Sequence, residues 1–282
     1  MAASAPPRPA TVAELLRRSR YEVIPLAGIE EQVLEHVPRD VTLTVTASPV
    51  KGLEPTLELT GKLAADGYPV VPHLSARLVV DRSHLDDLIA QISELGVRDV
   101  FVVAGDADQP AGSFAGAAEL LEAMAEVGHP FEQIGITGYP ESHPIIDDET
   151  TIAAMFDKAR HATYIASQIC FDSRVTVGWI DNVWTRGTRL PILVGIPGIV
   201  PRSKLLRVSS RIGIGESLRY LRKHGDFVTR FLQPGGFSPD RLIKGLAPAL
   251  AAPEQRVGGF HIFTFNDLAD TEAWRQRKLA AG

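Results

Sequence analysis

Short apolar runs rich in β-branched residues alternate with longer stretches of helical period, and this alternation restricts the fold more than any single motif. Strand-length runs fall at 21–26, 41–46, 70–74, 100–103, 134–137, 164–169, 192–196 and 260–265. Between them lie amphipathic stretches such as 85–95 and 117–127, each ending near a glycine that can stop a helix, Gly96 and Gly128. Eight strands with intervening helices are what a (β/α)₈ TIM barrel requires, and 282 residues with 45% hydrophobic content can build it as one domain. An open doubly wound sheet is the alternative, but no Gly-x-Gly-x-x-Gly turn follows the first strand. The stretch 211–257 departs from the rhythm, with helical patterns at 218–223, 227–232 and 242–250 broken by Gly and Pro. It is expected to be a helical elaboration between strands seven and eight, not a second domain. Residues 1–18, opening on an Ala- and Pro-rich segment, are expected to form a flexible tail, and 19–282 the catalytic barrel.

A formal charge of −5 gives no general attraction for phosphate backbones or anionic lipid, so neither nucleic acid nor membrane is an expected partner. Cys170 is the lone cysteine, which excludes an intrachain disulfide or a multi-thiolate metal site and suits a reducing cytoplasm. It is expected to lie within a strand as packing. No signal-like segment or membrane-length apolar run occurs, and a cytoplasmic location is expected. Oligomeric state is not legible.

Glu22, within Tyr21-Glu22-Val23-Ile24-Pro25-Leu26-Ala27, is a carboxylate in an otherwise apolar strand. An ionised Glu is expensive to desolvate, so this position suits either an active-site acid or a side chain turned outward from a strand end into water. In a barrel the chemistry gathers at the C-terminal ends of the strands. There the sequence places Thr46, His73, Ser75, Gly105, Asp106, Tyr139, Glu141, His143, Gln168, Asp172, Thr264 and Asn266. Each alone can be a cap or loop contact; their convergence is the polar kit of a small-molecule site. No His-Glu-x-x-His or paired-Cys spacing argues for a metal, no Gly-x-Ser-x-Gly elbow for a nucleophilic triad, and Gly61-Lys62 lacks the P-loop spacing.

From about Arg20 to Asn266 the chain resembles the methylenetetrahydrofolate reductases of the single-domain bacterial type. Tyr21-Glu22-Val23-Ile24-Pro25 resembles the family's Phe-Glu-Phe-Phe-Pro, Val45-Thr46 its Val-Thr, and Pro72-His73-Leu74 its Pro-His-Leu. Gly105-Asp106 resembles Arg-Gly-Asp without the Arg, and Tyr139-Pro140-Glu141-Ser142-His143-Pro144 resembles Tyr-Pro-Glu-x-His-Pro. Ser167-Gln168 with Phe171-Asp172, Pro197-Gly198-Ile199-Val200-Pro201 and Phe260-His261-Ile262-Phe263-Thr264-Phe265-Asn266 complete the set. The resemblance implies a (β/α)₈ barrel that reduces 5,10-methylenetetrahydrofolate to 5-methyltetrahydrofolate with nicotinamide electrons. The bridging methylene must open to an iminium at N5, and a carboxyl supplies the proton to the departing nitrogen. By matching position Glu22 is that acid, Asp106 and Gln168 hold the pterin, and Thr46, His73, Gly105, Tyr139 and His143 hold the cofactor.

The departures from the family concentrate on FAD. The Arg expected before Gly-Asp is Ala104, Ala47-Ser48-Pro49 stands for Tyr-Gly-Ala, and 150–159 offers no clear counterparts for the groups that hold the flavin nucleotide. The family's aromatic after Pro-Gly-Ile-Leu-Pro corresponds roughly to Leu205. Substrate residues survive while flavin residues do not, which implies direct hydride transfer from NADH, or NADPH, and weighs against bound FAD. The alternatives are an FAD-dependent reductase with replacement contacts, a pterin-dependent methyltransferase, and a noncatalytic folate-binding barrel.

Overall fold

The computed structural model describes residues 10–140, 148–200, 239–252, 254 and 256–281. Eight parallel strands close into a barrel in sequence order. They are β1 (Arg20–Val23), β2 (Thr42–Val45), β3 (Val70–Ser75), β4 (Asp99–Val103), β5 (Gln133–Gly138), β6 (Tyr164–Ser167), β7 (Ile192–Pro197) and β8 (Val257–Phe263). The helices are α1 (Val12–Arg17), α2 (Ile29–His36), α3 (Glu54–Ala65), α4 (Arg82–Glu94), α5 (Ala117–Val127), α6 (Asp148–Ala159), α7 (Ser173–Thr185), α8 (Pro239–Gly245), α9 (Ala247–Leu250) and α10 (Leu268–Ala281). β1 pairs with both β2 and β8, so Glu22 stands level with Thr44 on one side and Phe263 on the other. All eight expected strands are present.

Side chains alternate across each strand, and in a barrel this divides them between the helix layer and the interior. On β1, Tyr21 and Val23 are fully buried in the apolar layer, whereas Arg20 and Glu22 alternate with them and are only partly buried. A smaller interior cluster of Val71, Phe101, Tyr164, Ala166 and Leu193 fills the middle of the barrel. Towards the N-terminal ends of the strands, Arg20 pairs with Asp99 at 2.7 Å and donates to the Tyr164 hydroxyl at 2.8 Å, which itself donates to Asp99 at 3.0 Å. Charges this deep persist because each has a hydrogen-bonded partner. They close one end of the barrel.

Helix boundaries follow local chemistry. α4 starts where the Asp81 carboxylate accepts the His84 N–H at 2.9 Å. Gly96 and Gly128 end α4 and α5 with φ of 74° and 83°, a conformation that glycine enters without strain.

Several expected boundaries shift. The tail expected over 1–18 contains α1, because Thr11 and Glu14 form a reciprocal cap, at 3.2 and 2.7 Å, and Leu15 and Leu16 are fully buried. β1 ends at Val23, since the next residue, Ile24, spends its backbone N–H and C=O on the Asn266 side chain. β8 stops at Phe263 and not at 265, because Phe265 and Asn266 have φ of 49° and 59°, which no strand accommodates. Cys170 is fully buried, yet it lies beyond the end of β6 in a loop and not within a strand. Of the expected elaboration, α8 and α9 cover the 242–250 pattern; the patterns at 218–223 and 227–232 lie outside the described residues. No described helix is long and apolar enough to cross a membrane.

Candidate active site at the barrel mouth

A cavity of about 730 Å³ opens at the C-terminal ends of the strands. Glu22, Thr46, His73, Gly105, Asp106, Tyr139 and Gln168 all line it. His143, like Glu141, lies outside the described residues. The alternation of the strands explains the convergence. The positions that share the phase of Glu22 on β1, His73 and Ser75 on β3, Phe101 and Val103 on β4, Thr137 on β5 and His261 and Phe263 on β8 all reach the same interior.

Glu22 is 17% exposed, and its Oε2 lies 3.1 Å from His261 Nε2 and 4.0 Å from His73 Nε2. Of the two readings of Glu22, the geometry therefore selects a carboxyl turned into the barrel. His73 is buried against Phe101, with ring centroids 4.9 Å apart. Burial pushes its imidazole down to about 4; the Glu22 charge opposes this less strongly, and neighbouring His261 adds to the lowering. His73 is accordingly neutral at neutral pH. Its folded value lies below its unfolded one, so the unfolded chain takes the proton first and stability falls as pH drops from about 6.5 towards 4. Between pH 7 and 5 this one group is expected to remove about 2 kcal/mol. His73→Phe, which still packs on Phe101, is expected to flatten that slope in urea unfolding measured at both pH values; an unchanged slope would show that His73 does not set it.

The loop after β4 is shaped by two residues. Gly105 has φ of 93°, and a Cβ there would collide with Ser75 Oγ, so only glycine lets the chain turn this close to β3. Arg77 donates to the carbonyls of Ala107 at 2.6 Å, Asp108 at 2.8 Å and Ala115 at 3.1 Å, holding the loop that presents Asp106. Asp106 is exposed to the cavity, and Tyr139 stands near it. Burial, reinforced by the Asp106 charge, pushes the Tyr139 hydroxyl up to about 12, and the bond with Thr137 offsets part of the rise. Gln168 Oε1 accepts the Ile169 N–H at 2.9 Å, which orients the amide.

Sequence reasoning passed over His261, Arg77 and Lys158. His261 could have been found from the phase of β8, where it sits two residues before Phe263 on the inward side. Lys158 lines the cavity from α6 with no anionic partner among the described residues, and burial pushes its ammonium down to about 8. Conversely, three members of the expected polar ring have structural tasks. Asp172 caps α7 by accepting the Arg174 N–H at 2.9 Å. Thr264 donates to the Glu22 carbonyl at 2.5 Å, and the Asn266 amide pairs with both backbone groups of Ile24 at 2.8 and 2.9 Å. They fasten the end of β1. Among the described residues no cluster of His, Cys, Asp and Glu could hold a metal ion.

A (β/α)₈ barrel with an acid, two imidazoles and an amide around its C-terminal mouth is of the class that handles small molecules at that face. A sequence model of methylenetetrahydrofolate reductase matches residues 31–214, more than half of the chain. The chain belongs to the methylenetetrahydrofolate reductase family. Methylenetetrahydrofolate reductase 2 of Saccharomyces cerevisiae is 25% identical over 185 residues, 62% of this chain but 28% of the yeast protein. Similar solved structures include an oxaloacetate acetylhydrolase in complex with 3,3-difluorooxalacetate, at 12% identity and TM-score 0.48 over 86% of this chain and 95% of that one. A 2,3-dimethylmalate lyase gives 13% and 0.45 over 85% and 96%. At those scores the two carry no functional argument. Glu22 and His261 fall outside the matched residues, so their placement rests on the barrel geometry.

Proposed function

We propose that the chain reduces 5,10-methylenetetrahydrofolate to 5-methyltetrahydrofolate with hydride taken directly from NADH. The observation that carries this reading is the convergence of Glu22, Asp106 and Gln168 on one cavity in a member of this family. Glu22 gives its proton to the nitrogen that departs as the methylene bridge opens to the N5 iminium. The nicotinamide hydride then adds to the iminium carbon, forming the methyl group and NAD⁺. Asp106 accepts from the pterin's donors, and Gln168, with its carbonyl already held by Ile169, offers its NH₂ to a pterin acceptor. Thr46, His73, Gly105 and Tyr139 form the walls against which the nicotinamide lies. Lys158 suits a phosphate of the dinucleotide, being a cation that lacks an anion among the described residues.

The residues present do not fit a flavin well. Reduction of an isoalloxazine develops negative charge that a nearby cation or donor must meet. Position 104 is an alanine, three of the five guanidinium N–H groups of Arg77 are spent on loop carbonyls, and Lys158, the other cation lining the cavity among the described residues, is taken by the dinucleotide phosphate. Without a relay, hydride donor and iminium carbon must lie roughly 3–3.5 Å apart with both substrates bound at once. The protein purified without added flavin is expected to show no flavin absorption band, to oxidise NADH only when methylenetetrahydrofolate is present, and to follow sequential kinetics. A stoichiometric flavin band, activity only on addition of FAD, or ping-pong kinetics would restore the flavin relay. No NADH oxidation with any flavin supplement would favour a binding protein or a methyltransferase.

The pterin contacts make a separate prediction. Asp106→Ala or Gln168→Ala leaves a polar edge of the substrate unpaired, which is worth on the order of 1–3 kcal/mol. Folate affinity is expected to fall by roughly 10-fold or more in each variant, read by calorimetric titration. Unchanged binding in both would remove them from the pterin site.

A further inference from the structure

We propose that His261 is the positioning residue for Glu22, holding one carboxyl oxygen so that the proton is delivered from the other. The cluster is built from two distant parts of the chain. β1 and β8 are neighbours in the closed barrel, and this sets His261 Nε2 3.1 Å from Glu22 Oε2. The His261 ring is 2% exposed, lies 6.2 Å from Phe101 and 4.9 Å from Phe263 between centroids, and its Nδ1 is buried with no hydrogen-bond partner. The imidazole therefore has one polar contact among the described residues, and that contact is Glu22.

That arrangement fixes the tautomer. With the proton on Nδ1, a bare Nε2 lone pair would face the carboxylate oxygen whenever Glu22 is ionised, and a buried N–H would find no acceptor. With the proton on Nε2, the ring donates to Oε2. Nδ1 has no group with which to exchange a proton, so the ring keeps the Nε2–H form when Glu22 is charged and when it is neutral. Oε2 then remains an acceptor throughout, and the transferable proton resides on Oε1. As Glu22 loses that proton to substrate, the bond from His261 becomes charge-assisted and strengthens. An interaction stronger after transfer than before lowers the barrier without tightening substrate binding. His73, 4.0 Å from the same oxygen, is too distant for this task. The carboxyl's backbone is held as well, by the bond from Thr264 to the Glu22 carbonyl.

The inference rests on the reduction reading for its kinetic arm alone. His261→Ala is expected to lower kcat for NADH-dependent methylenetetrahydrofolate reduction roughly 10- to 100-fold, the range of a hydrogen bond to a charged group, with KM within about threefold. His261→Gln, whose Nε2 can replace the imidazole donor, is expected to recover most of the loss and to shift the pH profile back towards that of the native protein. In the Glu22→Gln background, removing His261 is expected to cause no further loss, since its effect acts through the carboxyl. An equal loss in that background would assign His261 a merely structural role and overturn the proposal. The second arm needs no turnover: long-range ¹H–¹⁵N spectra of ¹⁵N-histidine protein, assigned with His261→Gln, are expected to show the Nε2–H tautomer. An Nδ1–H tautomer overturns the proposal even if the protein reduces folate; absence of folate reduction defeats the functional reading and leaves this arm to decide.

Discussion

Glu22→Gln is expected to lower turnover of methylenetetrahydrofolate by roughly 10²- to 10⁴-fold, the usual contribution of a positioned general acid, while the fold and substrate affinity persist. The substitution isolates proton donation from everything else Glu22 does. A glutamine has the same shape, and its amide can still hydrogen-bond His261 Nε2, which lies 3.1 Å from Glu22 Oε2. What it lacks is a transferable proton. A Glu that merely served as the polar partner of His261 would tolerate this change almost unaltered. Steady-state rates and calorimetric folate binding on the same preparation separate the outcomes. Turnover within a factor of about three of the native value would falsify the acid assignment, because it falls far short of this range.

The barrel was legible because strands and helices announce themselves locally. Runs such as 192–196 and 134–137 carry β-branched residues, and Gly96 and Gly128 mark helix ends by a conformation few other residues adopt. The individual members of the site were legible as residue types at strand ends. Their partners were not. His261 meets Glu22 across 239 positions of sequence, and only closure of β8 on β1 creates the contact. Strand phase fixes which side chains face inward, yet it does not say that Thr264 and Asn266, read as polar mouth residues, turn to fasten β1. That outcome depends on the left-handed turn at Phe265 and Asn266; asparagine tolerates that conformation, but Phe265 gives no sign of it. The same holds for Arg77, whose three carbonyl contacts span a loop that has no regular period to read. The N-terminal segment misled for another reason: its composition is that of a tail, but Leu15 and Leu16 find a buried surface that only the assembled barrel offers.

Glu272→Ala is expected to destabilise the protein by about 3–5 kcal/mol, the cost of leaving a buried cation without its carboxylate. Glu272 lies on α10 and accepts the Tyr21 hydroxyl at 2.5 Å, Arg275 at 3.0 Å and Gln276 at 2.6 Å. Arg275 is 2% exposed and also donates to the Leu16 carbonyl at 3.0 Å, so the group joins α1, β1 and α10. Burial first, then the Glu272 charge, holds the Tyr21 hydroxyl far above its ordinary value, and it serves only as a donor. Without Glu272, Arg275 keeps its charge and loses its counterion, whereas Tyr21→Phe removes one neutral donor and should cost about 1 kcal/mol. For a domain of this size the larger loss corresponds to a thermal midpoint lower by roughly 6–20 °C. Tyr21 immediately precedes Glu22, so this network and the Thr264 bond both hold the acid's backbone. Well below its midpoint, folded Glu272→Ala protein is expected to retain kcat within a few-fold, because Thr264 and His261 still hold Glu22. Urea denaturation and turnover measured at the same temperature test both halves. A stability loss under about 1 kcal/mol would mean that Arg275 finds another partner or solvent, and that the network does not anchor β1.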